Sequence, residues 1–284
     1  MPLHQEIDFD KEDSSNPKQW TRRKKLTNVG IIALMSILSP LASSMFTPGI
    51  AVIAKCLNTT VENIIVATTG FVVMLGVGPL ILAPLSETFG RRRLYMVCFS
   101  IFTLCHIPMA LAPNVGVLIA ARTVAGFFGS VGIANGGGTI SDMCSPEERA
   151  GIFGWYLLGP LLGPTIGPLL GGIVVERAGW RWVFWIIMIV CAVNTLIGYF
   201  FLHESYAPVI LQRKCDRLRR ERGGRYTFPG QDERPLRVRI WENIKRPLRI
   251  LFTQPIVFTM AAYQVCIPHI HPPTFNTLPS DFIY

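Results

Sequence analysis

The sequence predicts an all-α membrane protein with six transmembrane helices. Half of its 284 residues are hydrophobic and only 16% are charged, whereas an average soluble domain has roughly 25% charged residues. The mean hydropathy is +0.39. Apolar residues gather in six long runs, and the charged residues fall almost entirely between those runs. This pattern excludes a disordered chain and argues against a soluble enzyme.

Each of the six runs is long enough to cross a bilayer. About 20 apolar residues in a helix span the hydrocarbon core. Only helices or closed barrels satisfy the backbone in lipid, and barrel strands would be shorter and would alternate in polarity. We therefore predict helical spans over Val29–Ile53, Ile64–Leu85, Leu94–Ala112, Val115–Ile140, Gly151–Val175 and Trp182–Leu202.

The basic residues predict the orientation of these spans. If the spans alternate in direction, 23 of the 27 Lys and Arg residues lie on the side of the N-terminus. Basic residues favour the cytoplasmic side, so the polar tail 1–26 and the basic loop 204–250 are predicted to be cytoplasmic. The basic loop then lies beneath the membrane, where it favours anionic lipid headgroups over nucleic acid. The lipid bilayer is therefore an expected partner, and nucleic acid is not.

The spans lack the residue clusters that metal centres and enzyme active sites need. The seven cysteines form no C-x-x-C pair. No span contains an acid pair, and no histidines have metal-ligand spacing. We expect no metal, no cofactor and no enzymatic activity.

Two polar residues inside the spans are candidates for function. Arg122 is the only Lys, Arg, Asp or Glu within any predicted span. A buried arginine in a membrane costs a few kcal/mol, so Arg122 either serves a function facing protein or water, or extends to the outer surface. His106 is either a hydrogen-bonded packing residue or a proton carrier.

Glycine and proline are concentrated in the fourth and fifth spans. Thirteen of the 25 glycines lie between residues 120 and 172. In the fifth span Gly163, Gly167 and Gly171 recur at four-residue spacing, which lets helix backbones approach closely in lipid. Pro160, Pro164 and Pro168 remove backbone donors at the same spacing and favour bending. The pattern is consistent with simple helix packing or with a helix that moves between two states.

A charged turn is predicted between the second and third spans. Residues 83–93 combine Glu87 with Gly90, which permits a tight reversal, and with three consecutive arginines. The arginines alone could merely fix the topology, but Glu87 requires a partner. Asp142, at the end of the fourth span, is the natural partner for one of the arginines. Next, the segment 145–148 has the pattern of a capping box and predicts a helix start.

Three segments resemble the signatures of a known family. Residues 83–92 keep Leu85, Gly90, Arg91 and Arg92 of a loop signature but depart from it at Ala83, Glu87 and Thr88. Leu118, Arg122 and Gly126 match a fourth-span signature, with Ala125 where glutamine is common, and Gly163, Gly167, Pro168, Gly171 and Gly172 complete a fifth-span antiporter signature. Together these segments resemble the major facilitator superfamily, in particular the fungal twelve-span drug:proton antiporters of the multidrug and polyamine exporter branch.

The resemblance implies a mechanism and roles for specific residues. It implies alternating access in the plasma membrane, with a small organic substrate leaving as protons enter. Arg91 would pair with Asp142, Glu87 would meet a helix end of the other half, and Arg122 would serve proton coupling. The substrate-binding residues are unknown. Cavity-lining candidates are Asn28, Ser36, Ser43, Ser44, Phe46 and Tyr156.

The resemblance covers only the N-terminal half of that fold. Up to Tyr263 the tail follows the family's entry into a seventh span, but residues 255–267 are apolar for only about thirteen positions, so segment 251–284 is predicted to be a truncated span and an aberrant tail. We therefore expect the bundle 27–203 to be half of a transporter whose partner is a missing C-terminal half. The alternative is a transport-inactive membrane fragment or interaction module.

Overall fold

The computed structural model describes residues 4–9, 13, 15–222, 225–229, 234 and 236–254. The chain divides into two units, residues 1–235 and 236–284. The first contains strands β1 (His4–Glu6) and β2 (Arg225–Thr227) and helices α1 (Arg22–Ser44), α2 (Ile50–Cys56), α3 (Val61–Phe89), α4 (Arg91–Ala110), α5 (Val115–Gly129), α6 (Val131–Met143), α7 (Pro146–Ala178), α8 (Trp180–Phe201) and α9 (Ala207–Arg222). The second contains α10 (Leu236–Thr253).

Six segments of the described chain are helical, apolar and long enough to cross a membrane, which confirms the six predicted spans. Two of them are not single regular helices. The first span changes to a 3₁₀ turn at Thr47–Gly49, between α1 and α2, because Pro48 has no N–H to continue the α-helical ladder. The fourth span consists of α5 and α6, with only Ser130 between them.

The predicted charged turn at 83–93 is wrong in extent. Helix α3 continues through this segment to Phe89, and α4 begins at Arg91. Gly90 alone makes the reversal, with φ at +97°, a conformation that costs glycine little and other residues much more. Glu87 and Arg91 are therefore fixed on two helix ends that meet at one residue. We call this region the Arg91 end of the bundle.

The remaining helices pack around α1 and α5. Helix α1 contacts α6, α7 and α8, while α5 packs against both α3 and α4. The largest fully buried side chains include the aromatic residues Phe46, Phe71, Phe99 and Phe102, together with Arg122. Helix α7 instead exposes large apolar side chains, among them Trp155 at 77% and Leu161 at 68%. Such an exposed apolar surface is stable in lipid or against another helix.

The polar tail and the basic loop are more ordered than their composition suggests. Strand β1 pairs in parallel with β2, so the N-terminal segment lies beside the segment that follows α9. A small second core under α9 contains Leu211, Cys215, Tyr226 and Phe228. Burial raises the pKa of the Cys215 thiol, so this cysteine favours its neutral form and acts as a packing residue.

The second unit contributes helix α10 within the segment predicted to be the end of the basic loop and the start of a seventh span. This helix contains Pro247 and ends at Thr253. The predicted truncated span at residues 255–267 lies outside the described residues.

Candidate functional site

A buried group of polar side chains surrounds Arg91. We define the Arg91 cluster as Ser86, Glu87, Arg91, Asn135, Asp142 and Glu204. These residues come from α3, α4, α6 and the segment after α8. Helix α6 can approach because Gly138 has no side chain: a Cβ there would lie 2.8 Å from Nη2 of Arg91. The cluster therefore depends on contacts between helices that are distant in the sequence.

Arg91 is almost completely buried and uses several of its donors. Its Nε donates to Oδ2 of Asp142 at 3.1 Å. Nη1 donates to Oγ of Ser86 and, at 3.4 Å, to Oδ1 of Asn135. Glu87 is a weaker partner, since its Oε1 lies 3.8 Å from Nη2 and its side chain is 43% exposed. The structure thus brings Arg91 and Asp142 together and leaves Glu87 at the edge of the cluster.

Glu204 is a member of the cluster that the sequence analysis did not single out as a site residue. Its Oε1 accepts a hydrogen bond of 2.9 Å from the backbone N–H of Arg91, at the first position of α4. A carboxylate is favoured at a helix N-terminus because the first N–H groups lack partners within the helix. Its other oxygen lies 3.7 Å from Nη2 of Arg213 in α9. The available signal was an isolated carboxylate two residues after the sixth predicted span.

Two other residues of the loop signature, Leu85 and Arg92, lie outside the Arg91 cluster. Arg92 donates from Nη2 to the carbonyl oxygen of Tyr199 at 2.8 Å and is partly exposed. Leu85 is half-buried on α3, where it packs against the main core. Neither residue is a member of the Arg91 cluster.

Arg122 forms a second polar site within the bundle. Its residue exposure is 1%, so the alternative in which the side chain extends to the outer surface is wrong. The guanidinium carbon lies 3.9 Å from the ring centroid of Phe46 and 5.2 Å from that of Phe71. Gly126, one turn later, allows this contact, since a Cβ there would lie 2.9 Å from Cα of Phe71.

The contacts with the aromatic rings offset only part of the free-energy cost of burying the guanidinium. Nε and Nη2 of Arg122 are buried and have no hydrogen-bond partner within the described part of the chain. Cation–π contacts stabilise a desolvated cation by about 2 kcal/mol, whereas an unpaired buried charge costs several kcal/mol. Arg122 is therefore a destabilising residue unless it binds an anionic or polar group during function.

His106 has the geometry of a packing residue. It is 2% exposed, and its Nδ1 lies 2.9 Å from the carbonyl oxygen of Phe102. A neutral imidazole protonated at Nδ1 satisfies this contact. The ring also packs edge-to-face on Phe102, with centroids 4.7 Å apart.

Three glycines of the fifth-span signature, Gly163, Gly167 and Gly171, form the interface between α7 and the first span. At Gly163, an added Cβ would lie 3.1 Å from the backbone of Ile37 and Leu41, and at Gly171 it would lie 2.8 Å from the carbonyl carbon of Met45. Ser44 donates to the carbonyl oxygen of Gly163 at 3.0 Å. Gly159 extends the same contact by one turn, a position that the sequence analysis did not name.

Gly172 does not share in this packing. An added Cβ there would meet nothing within 4 Å. The expectation that all five signature residues pack together is therefore wrong at Gly172, and also at Pro168, which is exposed, because neighbouring positions on a helix point about 100° apart. Helix α7 remains continuous through Pro160, Pro164 and Pro168.

Most of the cavity-lining candidates are packed inside the bundle. Asn28, Ser36, Phe46 and Tyr156 are each at most 3% exposed. The Tyr156 hydroxyl donates to the carbonyl oxygen of Gly132 at 2.7 Å. Ser43 and Ser44 are half-buried.

Comparisons with known proteins identify the fold. A model of the Major Facilitator Superfamily matches residues 32–280. The chain belongs to this superfamily. It is 44% identical over 264 residues to the MFS-type transporter tndD of Aspergillus flavipes, covering 90% of this chain and 48% of that protein. It is 36% identical to the efflux pump vrtL of Penicillium aethiopicum, covering 94% of this chain and 54% of that protein.

Solved structures agree with this assignment at the level of the fold. The proton:xylose symporter XylE of E. coli superimposes with a TM-score of 0.60 at 12% identity, covering 85% of this chain and 57% of that one. The chain thus spans about half the length of the curated relatives it matches. Its six membrane helices correspond to half of a major facilitator fold, and the protein is integral to the membrane.

Proposed function

We propose that this chain is the N-terminal half of a proton-coupled exporter of small organic molecules, including drugs and organic cations, which works by alternating access. The proposal places it in the plasma membrane with its N-terminus in the cytoplasm. Relatives named as efflux pumps support the direction of transport. A relative named for the trichosetin biosynthesis cluster in Gibberella fujikuroi favours a natural product as one possible substrate class.

The unpaired guanidinium of Arg122 is the observation that carries this proposal. A transmembrane protein that served only as an anchor would gain nothing from a buried cation that has, among the described residues, no hydrogen-bond partner at two of its nitrogens. In a transporter, such a cation can stabilise a transient anion or disfavour protonation of a nearby group. Arg122 would therefore act in proton coupling, with the coupled acid supplied outside the six spans.

The Arg91 cluster supports a role in gating. Its hydrogen bonds join α3, α4 and α6 to the segment after α8, so they hold four parts of the bundle in one arrangement. Of the two carboxylates that pair with Arg91, Glu87 is more exposed than Asp142. Glu87 would therefore be accessible to a helix end of a second half. The cluster would therefore stabilise one state of the transport cycle through Arg91 and Asp142.

The alternative proposal is a transport-inactive membrane fragment or interaction module. The apolar surface of α7 favours it, because Trp155 and Leu161 could contact another membrane protein without any transport. Under the first proposal, adding a second half to the chain would produce transport. Under the alternative, it would not.

The test compares the 284-residue chain with a chimaera in which it is joined to the second half of tndD. We expect efflux of a fluorescent organic cation, driven by a pH gradient, only from the chimaera. Arg122→Ala in the chimaera should abolish efflux without loss of membrane insertion, and Arg122→Lys should lose most of it, because lysine lacks the planar guanidinium. Arg181→Ala removes an exposed arginine and is the control.

Unchanged efflux in the Arg122→Ala chimaera would exclude Arg122 from the mechanism. Failure of the inserted, folded chimaera to transport any tested cation or natural product would favour the alternative.

A further inference from the structure

A groove runs along the outer surface of the bundle between α4 and α8. Its volume is about 680 Å³, and it is lined by positions 96–104 of α4 and 192–199 of α8. Volumes of about 300–1,000 Å³ are usual for small-molecule sites. Val97, Leu104 and Leu196 are 58–60% exposed along it. The groove therefore faces the surroundings of the bundle and not its interior.

Two of the four hydroxyl-bearing residues that line the groove keep their donors within their own helices, and the other two are Ser100 and Tyr199. The hydroxyl of Thr103 donates to the carbonyl oxygen of Phe99, and that of Thr195 donates to the carbonyl oxygen of Cys191. Both bonds are within the residue's own helix, so the remaining surface of these side chains is a methyl group. Apart from Ser100 and Tyr199, the remaining lining residues are apolar, so the groove is mainly an apolar channel suited to a hydrocarbon chain.

Two arginines lie at one end of this channel. Arg92 uses one N–H donor for the carbonyl oxygen of Tyr199, a residue that lines the groove. A guanidinium has five such donors, so most of its donor capacity is unused by this bond. Arg93 is exposed and lies on the same helical stripe as Val97 and Leu104. Positive charge therefore meets the groove at the Arg91 end of the bundle.

The distance from Arg93 to the far end of the groove matches one leaflet. Positions 93 to 104 rise by about 16 Å along α4, and half of a hydrocarbon core of roughly 30 Å is about 15 Å. A ligand with its headgroup at the arginines would therefore reach the middle of the bilayer. We propose that this groove binds one anionic phospholipid, with an acyl chain between α4 and α8 and its phosphate at Arg92 and Arg93.

The test measures lipid retention by the purified 284-residue chain using native mass spectrometry. The protein is titrated with phosphatidylserine or phosphatidylcholine that have identical acyl chains. Two arginines near a headgroup predict a preference for phosphatidylserine of roughly 30-fold, which corresponds to about 2 kcal/mol. Arg92→Gln with Arg93→Gln should remove the preference. Arg177→Gln with Arg181→Gln removes the same charge at the opposite end of the spans and should retain it.

A second pair of variants tests the acyl-chain site without changing charge. Ala192 is exposed and lines the groove, so Ala192→Phe should block the channel and reduce phosphatidylserine retention by about tenfold or more. Val193 is also exposed but does not line the groove, so Val193→Phe should retain the lipid. Each substitution adds bulk on the outer surface of α8, where it does not disturb the core.

Three results would overturn the proposal. Equal retention of the two lipids would remove the headgroup site, and unchanged binding in Ala192→Phe would remove the acyl-chain site. A dimer that forms in place of the lipid complex and is lost in Ala192→Phe would show that a second copy of the chain occupies the groove.

Discussion

Three buried glycines of α7 that contact the first span, Gly163, Gly167 and Gly171, form a glycine ridge. Its packing can be tested stringently, because the adjacent Gly172 lies on the open side of the same helix and serves as a control. Gly171→Ala would place a Cβ 2.8 Å from the carbonyl carbon and 2.9 Å from Cα of Met45 in the first span. Real Cβ atoms almost never approach other atoms within 3.0 Å. Both contacts are backbone atoms, so no side-chain rotation relieves them, and α7 must move away from α1. Gly172→Ala adds the same methyl group to open space.

The expected magnitudes follow from this difference. Overpacking a close contact costs about 1–3 kcal/mol, while replacing glycine with alanine inside a helix gains about 0.5–1 kcal/mol. Gly171→Ala should therefore destabilise the bundle by up to about 2.5 kcal/mol. Gly172→Ala should be neutral or stabilise it by up to about 1 kcal/mol.

Unfolding of the purified chain in mixed micelles with increasing denaturing detergent measures the difference between the two variants. Far-ultraviolet circular dichroism and tryptophan fluorescence should report the same transition, since α1 and α7 belong to one core. If Gly171→Ala and Gly172→Ala unfold within 0.5 kcal/mol of each other, as surface substitutions typically do, then α7 does not pack against α1 through this ridge.

Further predictions concern the polar contacts. Asp142→Asn should destabilise the bundle by about 1.5–3 kcal/mol, because the negative charge that pairs with the buried Arg91 guanidinium is lost, and a double-mutant cycle with Arg91→Gln measures the coupling. Asp13→Asn should increase backbone hydrogen exchange at Ile7, whose N–H donates to β2. The hydrogen bond from Lys214 lowers the pKa of Asp13 to about 2, so the contact persists above pH 4 and weakens as the pH falls towards 2.

These two predictions have separate controls. Glu87→Gln changes a carboxylate that is half exposed and 3.8 Å from Arg91, so it should cost much less than Asp142→Asn. A coupling energy near zero for Arg91 and Asp142 would show that the buried pair does not stabilise the bundle. Exchange at Ile7 that has the same acid dependence in Asp13→Asn would assign the transition to another group.

Much of the candidate site could be predicted from the sequence, because a charged side chain is costly in the hydrocarbon core of a bilayer. Arg122 was conspicuous as the one charge in a predicted span, but only the structure decided between burial and extension to the outer surface. A pairing of Asp142 with one of the three arginines was also expected, since these residues lie at span ends on the same side, and the family resemblance implied that the arginine is Arg91. Glu204 was not recognised as a partner, because only the fold brings the end of α8 to the first N–H of α4.

The sequence by itself determined the six spans, because length and hydropathy decide which segments enter a bilayer. It also located the glycines that allow close packing, although it could not distinguish Gly172, on the open side of α7, from Gly171. Only the tertiary structure decided which face each helix presents and which carboxylate reaches which arginine. These features depend on contacts between residues far apart in the chain, such as Arg91 and Glu204, which are 113 positions apart, and local patterns in a sequence do not encode such contacts.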